Sequence, residues 1–279
     1  MSNIQTDRDG QARRPVRRGL YDAPSSAGVE PRAIVGSRHT PQQTETYPLK
    51  RLLSNRLLNA LPGEDFERLL PALEPATLTP SAGLQDAAVA HHVYFPEDAV
   101  VSHLVVFEDG TTVETALTGR EGAVGLGAVF CHDAPTHWPR VTLSGAALRM
   151  RAEHFRQEFA ASEPFRRLLL EYAGRHFAQV AQRAACINRH CIETRLATWL
   201  LMLHERASVD ELPLTQEFIA QRIGARRAGI SEVFGVLQER GLIGHSRGVV
   251  RILDRDALAA AACECYAVMR YDRAEELVS

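Results

Sequence analysis

The stretch LTQEFIAQRIGARRAGISEVFGVLQERGLI, residues 214–243, most constrains what this chain can fold into. Ile219, Ala220 and Ile223 recur at helical spacing before a glycine. Ile230, Val233, Phe234 and Leu237 recur at helical spacing after it. Thr215 can cap the first helix through its side-chain oxygen. Gly224 follows the last apolar residue, where a helix end turns left-handed. The sequence therefore predicts a helix over 216–223, a tight turn, and a second helix starting at Arg226 or Arg227. Gly241 ends that helix. Gly241-Leu242-Ile243 starts a strand, Ser246-Arg247-Gly248 turns, and VVRIL returns as a second strand, a two-stranded wing. A helix from about Asp256 to Cys265 closes the unit.

A small residue in the first helix, a glycine four later, and apolar residues six and nine beyond the glycine make a helix-turn-helix pattern. Such a pair lays its second helix in a DNA major groove, with the first turns facing base edges. The expected base readers are Arg226, Arg227, Ser231 and Glu232. Arginine can pair two-pronged with guanine, and a carboxylate can accept from a cytosine amino group. Thr215, Gln216, Ser246 and Arg247 are the expected phosphate contacts. Gly229 and Gly235 each cost the second helix about 1 kcal/mol relative to alanine, so it leans on packing. The net charge is −2, which makes any nucleic-acid surface a local patch rather than a global excess. A winged-helix module used for protein contact is the bland alternative.

Upstream, residues 1–48 are polar, rich in Arg, Pro, Gln, Ser and Thr, and without helical or strand period, which predicts a disordered tail. Apolar Leu57, Leu58, Leu61, Phe66, Leu69, Leu70 and Leu73 then predict a short helix pair. Residues 74–151 read as short strands with a hairpin turn at Asp109-Gly110, a small sandwich or barrel-like roll. A long helical stretch follows over 152–189, broken near Pro164. Its stripe of Phe165, Leu169, Tyr172, His176 and Val180 is the expected dimer seam, the alternative being that it packs only on its own roll. Residues 191–206 form another helix with a strong apolar face. The fold class is α+β.

Strand roll, long helix and winged helix-turn-helix, in that order, resemble the Crp/Fnr family of bacterial transcription regulators. The resemblance covers roughly residues 50–266 and is carried above all by LTQEFIAQRIGARRAGISEVFGVLQERGLI. It implies a cyclic-nucleotide-binding-like β-roll over 49–155, a dimerisation helix over 156–190 and a DNA-binding winged helix-turn-helix domain over 191–279. It also implies a homodimer on double-stranded, inverted-repeat DNA, with RNA polymerase as a further partner. The family's best-known readers use an Arg-Glu pair and another Arg one turn later. Arg227, Ala228 and Glu232 stand there instead, which implies an unusual half-site. Leu126 stands where cyclic-nucleotide-binding members carry a glutamate, and Arg140 lacks the serine that follows the family's arginine. No cyclic nucleotide is expected.

Five cysteines, few and odd in number, suggest reduced thiols. None precedes Cys131, so an N-terminal iron–sulfur cluster is not expected. Cys131-His132 with His137, Cys186 with His190 and Cys191, and Cys263 with Cys265 are three further constellations. Each is read as structural or solvent-facing, with a metal- or redox-responsive regulator as the alternative. On a helix, Cys263 and Cys265 would point to different faces. No cofactor or metal is expected. No phosphate loop, nucleophile elbow or HExxH-type helix suggests an enzyme. The apolar runs are far shorter than the ~20 residues that cross a bilayer, and no apolar segment follows RRPVRRG, so a cytoplasmic protein is expected.

Overall fold

A computed structural model describes residues 53–80, 84, 91–130, 138–207 and 209–270. The expected tail over 1–48 and the Cys131-His132-His137 constellation lie outside the described residues. The first described elements are two short helices, α1 (Arg56–Asn59) and α2 (Gly63–Leu69), as the leucine spacing predicts. Among the described residues, six strands build the roll: β1 (Glu74–Leu78), β2 (His92–Pro96), β3 (Val100–Val106), β4 (Thr112–Thr118), β5 (Trp138–Leu143) and β6 (Gly145–Arg151). A short helix, α3 (Leu126–Phe130), interrupts them. They form two antiparallel sheets of order β1-β6-β2 and β4-β3-β5. The β3–β4 hairpin turns at Asp109-Gly110, where Asp109 Oδ1 accepts from the Thr111 N–H at 2.9 Å.

The long helical stretch is two helices, α4 (Ala152–Ala161) and α5 (Glu163–Arg189). Ser162 separates them because its Oγ caps α5, accepting from the Phe165 N–H at 3.1 Å. Pro164 sits in the first turn of α5, where its missing N–H costs no helix bond. Three of the five residues expected at the seam pack at home, on the chain's own roll. Phe165, Leu169 and Tyr172 are buried in the roll's own core with Leu58, Phe66, Phe95 and Phe155. His176 lies edge-on to His103 of β3, ring centroids 4.8 Å apart, and Val180 is half-buried. Phe165 and Phe155 also meet edge-to-face at 5.3 Å, a geometry favoured by the aromatic quadrupole.

The C-terminal part holds α6 (Ile192–Ala207), β7 (Glu211–Leu212), α7 (Gln216–Ile223), α8 (Arg227–Glu239), β8 (Ile243–Ser246), β9 (Val249–Ile252), α9 (Arg255–Ala261) and α10 (Cys265–Met269). Helix α6 is buried all round from Arg195 to Leu203, so it is a central core helix and not one with a single apolar face. Its core joins Val100, Leu117 and Leu143 of the roll to Trp199, Leu200, Ile219, Phe234 and Leu258. Strand β7 pairs with β9 and makes the wing a three-stranded sheet of order β7-β9-β8. The closing helix is broken after Ala261, and α10 packs against the end of α5.

Candidate nucleic-acid interface

Helices α7 and α8 are joined by Gly224, Ala225 and Arg226. Gly224 is left-handed at φ 69°, which lets the chain reverse while the Ala225 N–H still reaches Ala220 O at 2.9 Å. Helix α8 buries Ile230, Phe234 and Leu237 against this pair. The opposite face carries Arg227, Ala228, Ser231 and Glu232, all exposed. Arg226 is the N-cap, also exposed, and makes no side-chain cap bond. No acidic residue lies in the first turn, so two guanidiniums add to the positive end of the helix. That is an anion-attracting tip.

Thr215 caps α7, its Oγ1 accepting from the Phe218 N–H at 3.2 Å. Ser231 Oγ donates to Gln216 Oε1 at 2.6 Å, so an expected base reader and an expected phosphate contact hold each other. This bond links the two helices at their exposed edge. In the wing, Ser246 pairs with Val249, leaving a two-residue loop of Arg247 and Gly248. Their φ values of 49° and 78° are both positive, the signature of a type I′ hairpin turn. Arg247 and Ser246 are exposed at the wing tip. Arg222, by contrast, is buried and stacks over the Phe218 ring at 4.5 Å.

The family model for a Crp-like helix-turn-helix domain matches residues 194–261. This segment is a Crp-like helix-turn-helix domain. No curated protein matches the chain. FixK2 from Bradyrhizobium japonicum shares the fold with a TM-score of 0.58 at 14% identity, over 68% of this chain and 98% of that one. The c-di-GMP-responsive global regulator CLP of Xanthomonas campestris has a TM-score of 0.56 at 15% identity, over 69% of this chain and 100% of that one. TTHB099, a CRP-family transcriptional regulator from Thermus thermophilus, has a TM-score of 0.52 at 19% identity, over 69% and 96%. The chain thus has the Crp/Fnr fold, a β-roll followed by a long helix and a Crp-like helix-turn-helix domain.

Between the β4-β3-β5 sheet and helices α5 and α6 lies a polar layer. Glu114 of β4 is buried, with Oε1 accepting from Trp199 Nε1 at 2.7 Å and Oε2 accepting from Ser102 Oγ at 2.5 Å. Burial pushes its carboxyl above the usual range, against the pull of Arg183. Thr118 Oγ1 lies 2.9 Å from both His103 Nε2 and the Tyr172 hydroxyl, and Gln179 Oε1 accepts from the Leu117 N–H at 2.7 Å. Glu121 Oε1 accepts from Arg206 Nε at 2.7 Å, both side chains buried. Leu126 is half-buried against the roll's apolar core. Arg140 Nη1 donates to the carbonyl of Pro139 at 3.3 Å.

The cysteines depart from expectation. Cys263 precedes α10 rather than sharing a helix with Cys265, so the two sulfurs turn the same way instead of to different faces. Both meet Cys186 and His190 from the end of α5. Cys-x-x-x-His and Cys-x-Cys are legible in the sequence as separate pairs; their meeting depends on a contact between segments 77 residues apart. Cys191 stays exposed, outside the group.

Proposed function

We propose that the protein is a homodimeric, sequence-specific DNA-binding transcription regulator whose roll is a degenerate effector domain. The carrying observation is that Arg227, Ser231 and Glu232 on α8, Arg226 at its N-cap and Arg247 at the wing tip are all exposed, within a Crp-like helix-turn-helix segment. Arg226, Arg227, Ser231 and Glu232 read base edges, while Thr215, Gln216, Ser246 and Arg247 hold phosphates. Glu232 and Ala228 give the half-site an unusual sequence. Two-fold symmetry sets two inverted half-sites about 34–36 Å apart. The protein acts in the cytoplasm, with RNA polymerase as a further partner and no enzymatic step.

The polar layer supports a roll that takes no cyclic nucleotide. His103, Thr118, Tyr172 and Gln179 bond across the space between the sheet and α5. Glu121 is held by Arg206, and Leu126 offers no carboxylate to a ribose.

The dimer uses the outer face of α5. Leu170 and Phe177 are 60% and 74% exposed, seven residues apart on one stripe with Gly174 and Ala181. A seven-residue repeat of apolar and small side chains suits a close helix pair. Phe177→Glu is expected to turn the dimer into a monomer in sedimentation equilibrium while the fold persists.

Selection of bound DNA from a random pool tests the whole reading; an inverted repeat is expected, and recovery of no preferred sequence overturns it. Arg227→Ala should cost about 1–3 kcal/mol and relax the preference at one base pair per half-site.

A further inference from the structure

Cys186, His190, Cys263 and Cys265 each offer one ligand atom, and the four atoms lie within 4.8 Å of one another. Cys186 Sγ is 3.6 Å from Cys263 Sγ, and Cys265 Sγ is 3.5 Å from His190 Nδ1. A tetrahedral zinc with its usual bond lengths spaces two sulfurs about 3.8 Å apart, and a sulfur and a nitrogen about 3.6 Å apart. The observed separations therefore leave room at the centre for a single ion. A disulfide needs its sulfurs at about 2.05 Å. An iron–sulfur cluster, carrying several irons, spreads its cysteines wider than one ion does.

The surroundings carry the same sense. His190 Nε2 lies 3.2 Å from the Glu264 carboxylate. A carboxylate only accepts, so Nε2 carries the proton and Nδ1 presents its lone pair to the three sulfurs. Gln182 Nε2 donates to Cys265 Sγ at 3.0 Å, and Thr198 Oγ1 lies 3.2 Å from Cys263 Sγ. Three thiolates, one neutral imidazole and a divalent ion sum to one negative charge, and buried Arg195, about one turn before Thr198 on α6, supplies a cation on the same helix.

We propose that Cys186, His190, Cys263 and Cys265 form a tetrahedral site for one thiophilic divalent cation of the zinc class, clamping the end of α5 to the last helix of the helix-turn-helix domain. Binding replaces three thiol protons, which leave to solvent, and makes three metal–sulfur bonds and one metal–nitrogen bond. The ion ties Cys186 on the long helix and His190 just past its end to Cys263 before α10 and Cys265 at its start. It thereby fixes where the DNA-binding unit sits relative to the helix proposed to pair the two protomers. The site itself stands whether or not the protein binds DNA.

Cobalt(II) titrated into the reduced, chelator-stripped full chain tests this without any variant. One ion per chain is expected, with a thiolate charge-transfer band and the intense visible bands of a tetrahedral centre, displaced mole for mole by zinc. Glu264→Ala, at an exposed position, removes the acceptor of the His190 Nε2–H and should lower zinc affinity about tenfold by releasing the imidazole. Cys263→Ser and Cys265→Ser should lose the charge-transfer intensity in part and the zinc affinity by more than tenfold, while Cys191→Ser changes neither. Absence of a thiolate band in the wild-type chain, an octahedral spectrum, or equal loss in Cys191→Ser would overturn the proposal.

Discussion

Arg247 shows how one residue can serve two demands that pull apart. It occupies the first loop position of the wing hairpin at φ 49°, a conformation that glycine or asparagine adopts readily and a long side chain does not. Keeping arginine there costs about 1 kcal/mol relative to a residue at ease in the left-handed region. The phosphate contact proposed for the wing tip would be a sufficient reason to bear it. Arg247→Asn should therefore raise the urea midpoint, by about 1 kcal/mol of stability. The same change should weaken binding to all DNA sequences alike and flatten its salt dependence. A titration at two salt concentrations beside a denaturation curve separates the two effects. The sequence marks Ser246-Arg247-Gly248 as a turn, but the sign of φ at Arg247 comes from the register of β8 on β9.

At the scale of elements, α8 carries two glycines that look alike in the sequence and differ in the fold. A Cβ on Gly229 would meet Ile192 Cδ1 at 3.2 Å, so this glycine lets α8 approach the start of α6. A Cβ on Gly235 would meet nothing within 4 Å. Gly235→Ala should stabilise the protein by about 1 kcal/mol, read as a higher denaturation midpoint with unchanged slope, while Gly229→Ala should gain less or lose. Helix α5 teaches a related lesson. Its period announces an apolar stripe, and Phe165, Leu169 and Tyr172 do form one. Period says that a face is covered, not what covers it. The strongest stripe goes to the chain's own roll, leaving Leu170 and Phe177 outward.

Across the whole molecule, the roll and the helix-turn-helix domain share a core and a buried polar layer centred on Glu114. The Glu114 carboxyl is raised by burial, with Arg183 as its leading opposing charge. An acid raised in the folded state contributes stability that is complete below its unfolded value of about 4.3 and is lost as pH climbs through the folded value. Glu114→Gln removes that titration while keeping an acceptor for Trp199. The variant's urea midpoint should accordingly fall less than wild type as pH rises out of the acid range.

The sequence by itself determined the parts governed by near neighbours. The span of α7, the turn at Gly224, the start of α8, the wing strands and the β3–β4 turn all follow from side-chain period and from which residues tolerate a left-handed backbone. The same signals left Arg226, Arg227, Ser231 and Glu232, at the N-cap and first turns of α8, outside the buried stripe and exposed. Only the tertiary structure decided which stripe of α5 stays free, that Ser231 and Gln216 bond to each other, and that four ligand atoms from residues 186 to 265 converge. Local period depends on a few consecutive dihedrals and can be read along a chain. Convergence depends on where distant segments pack, which no short window of sequence contains.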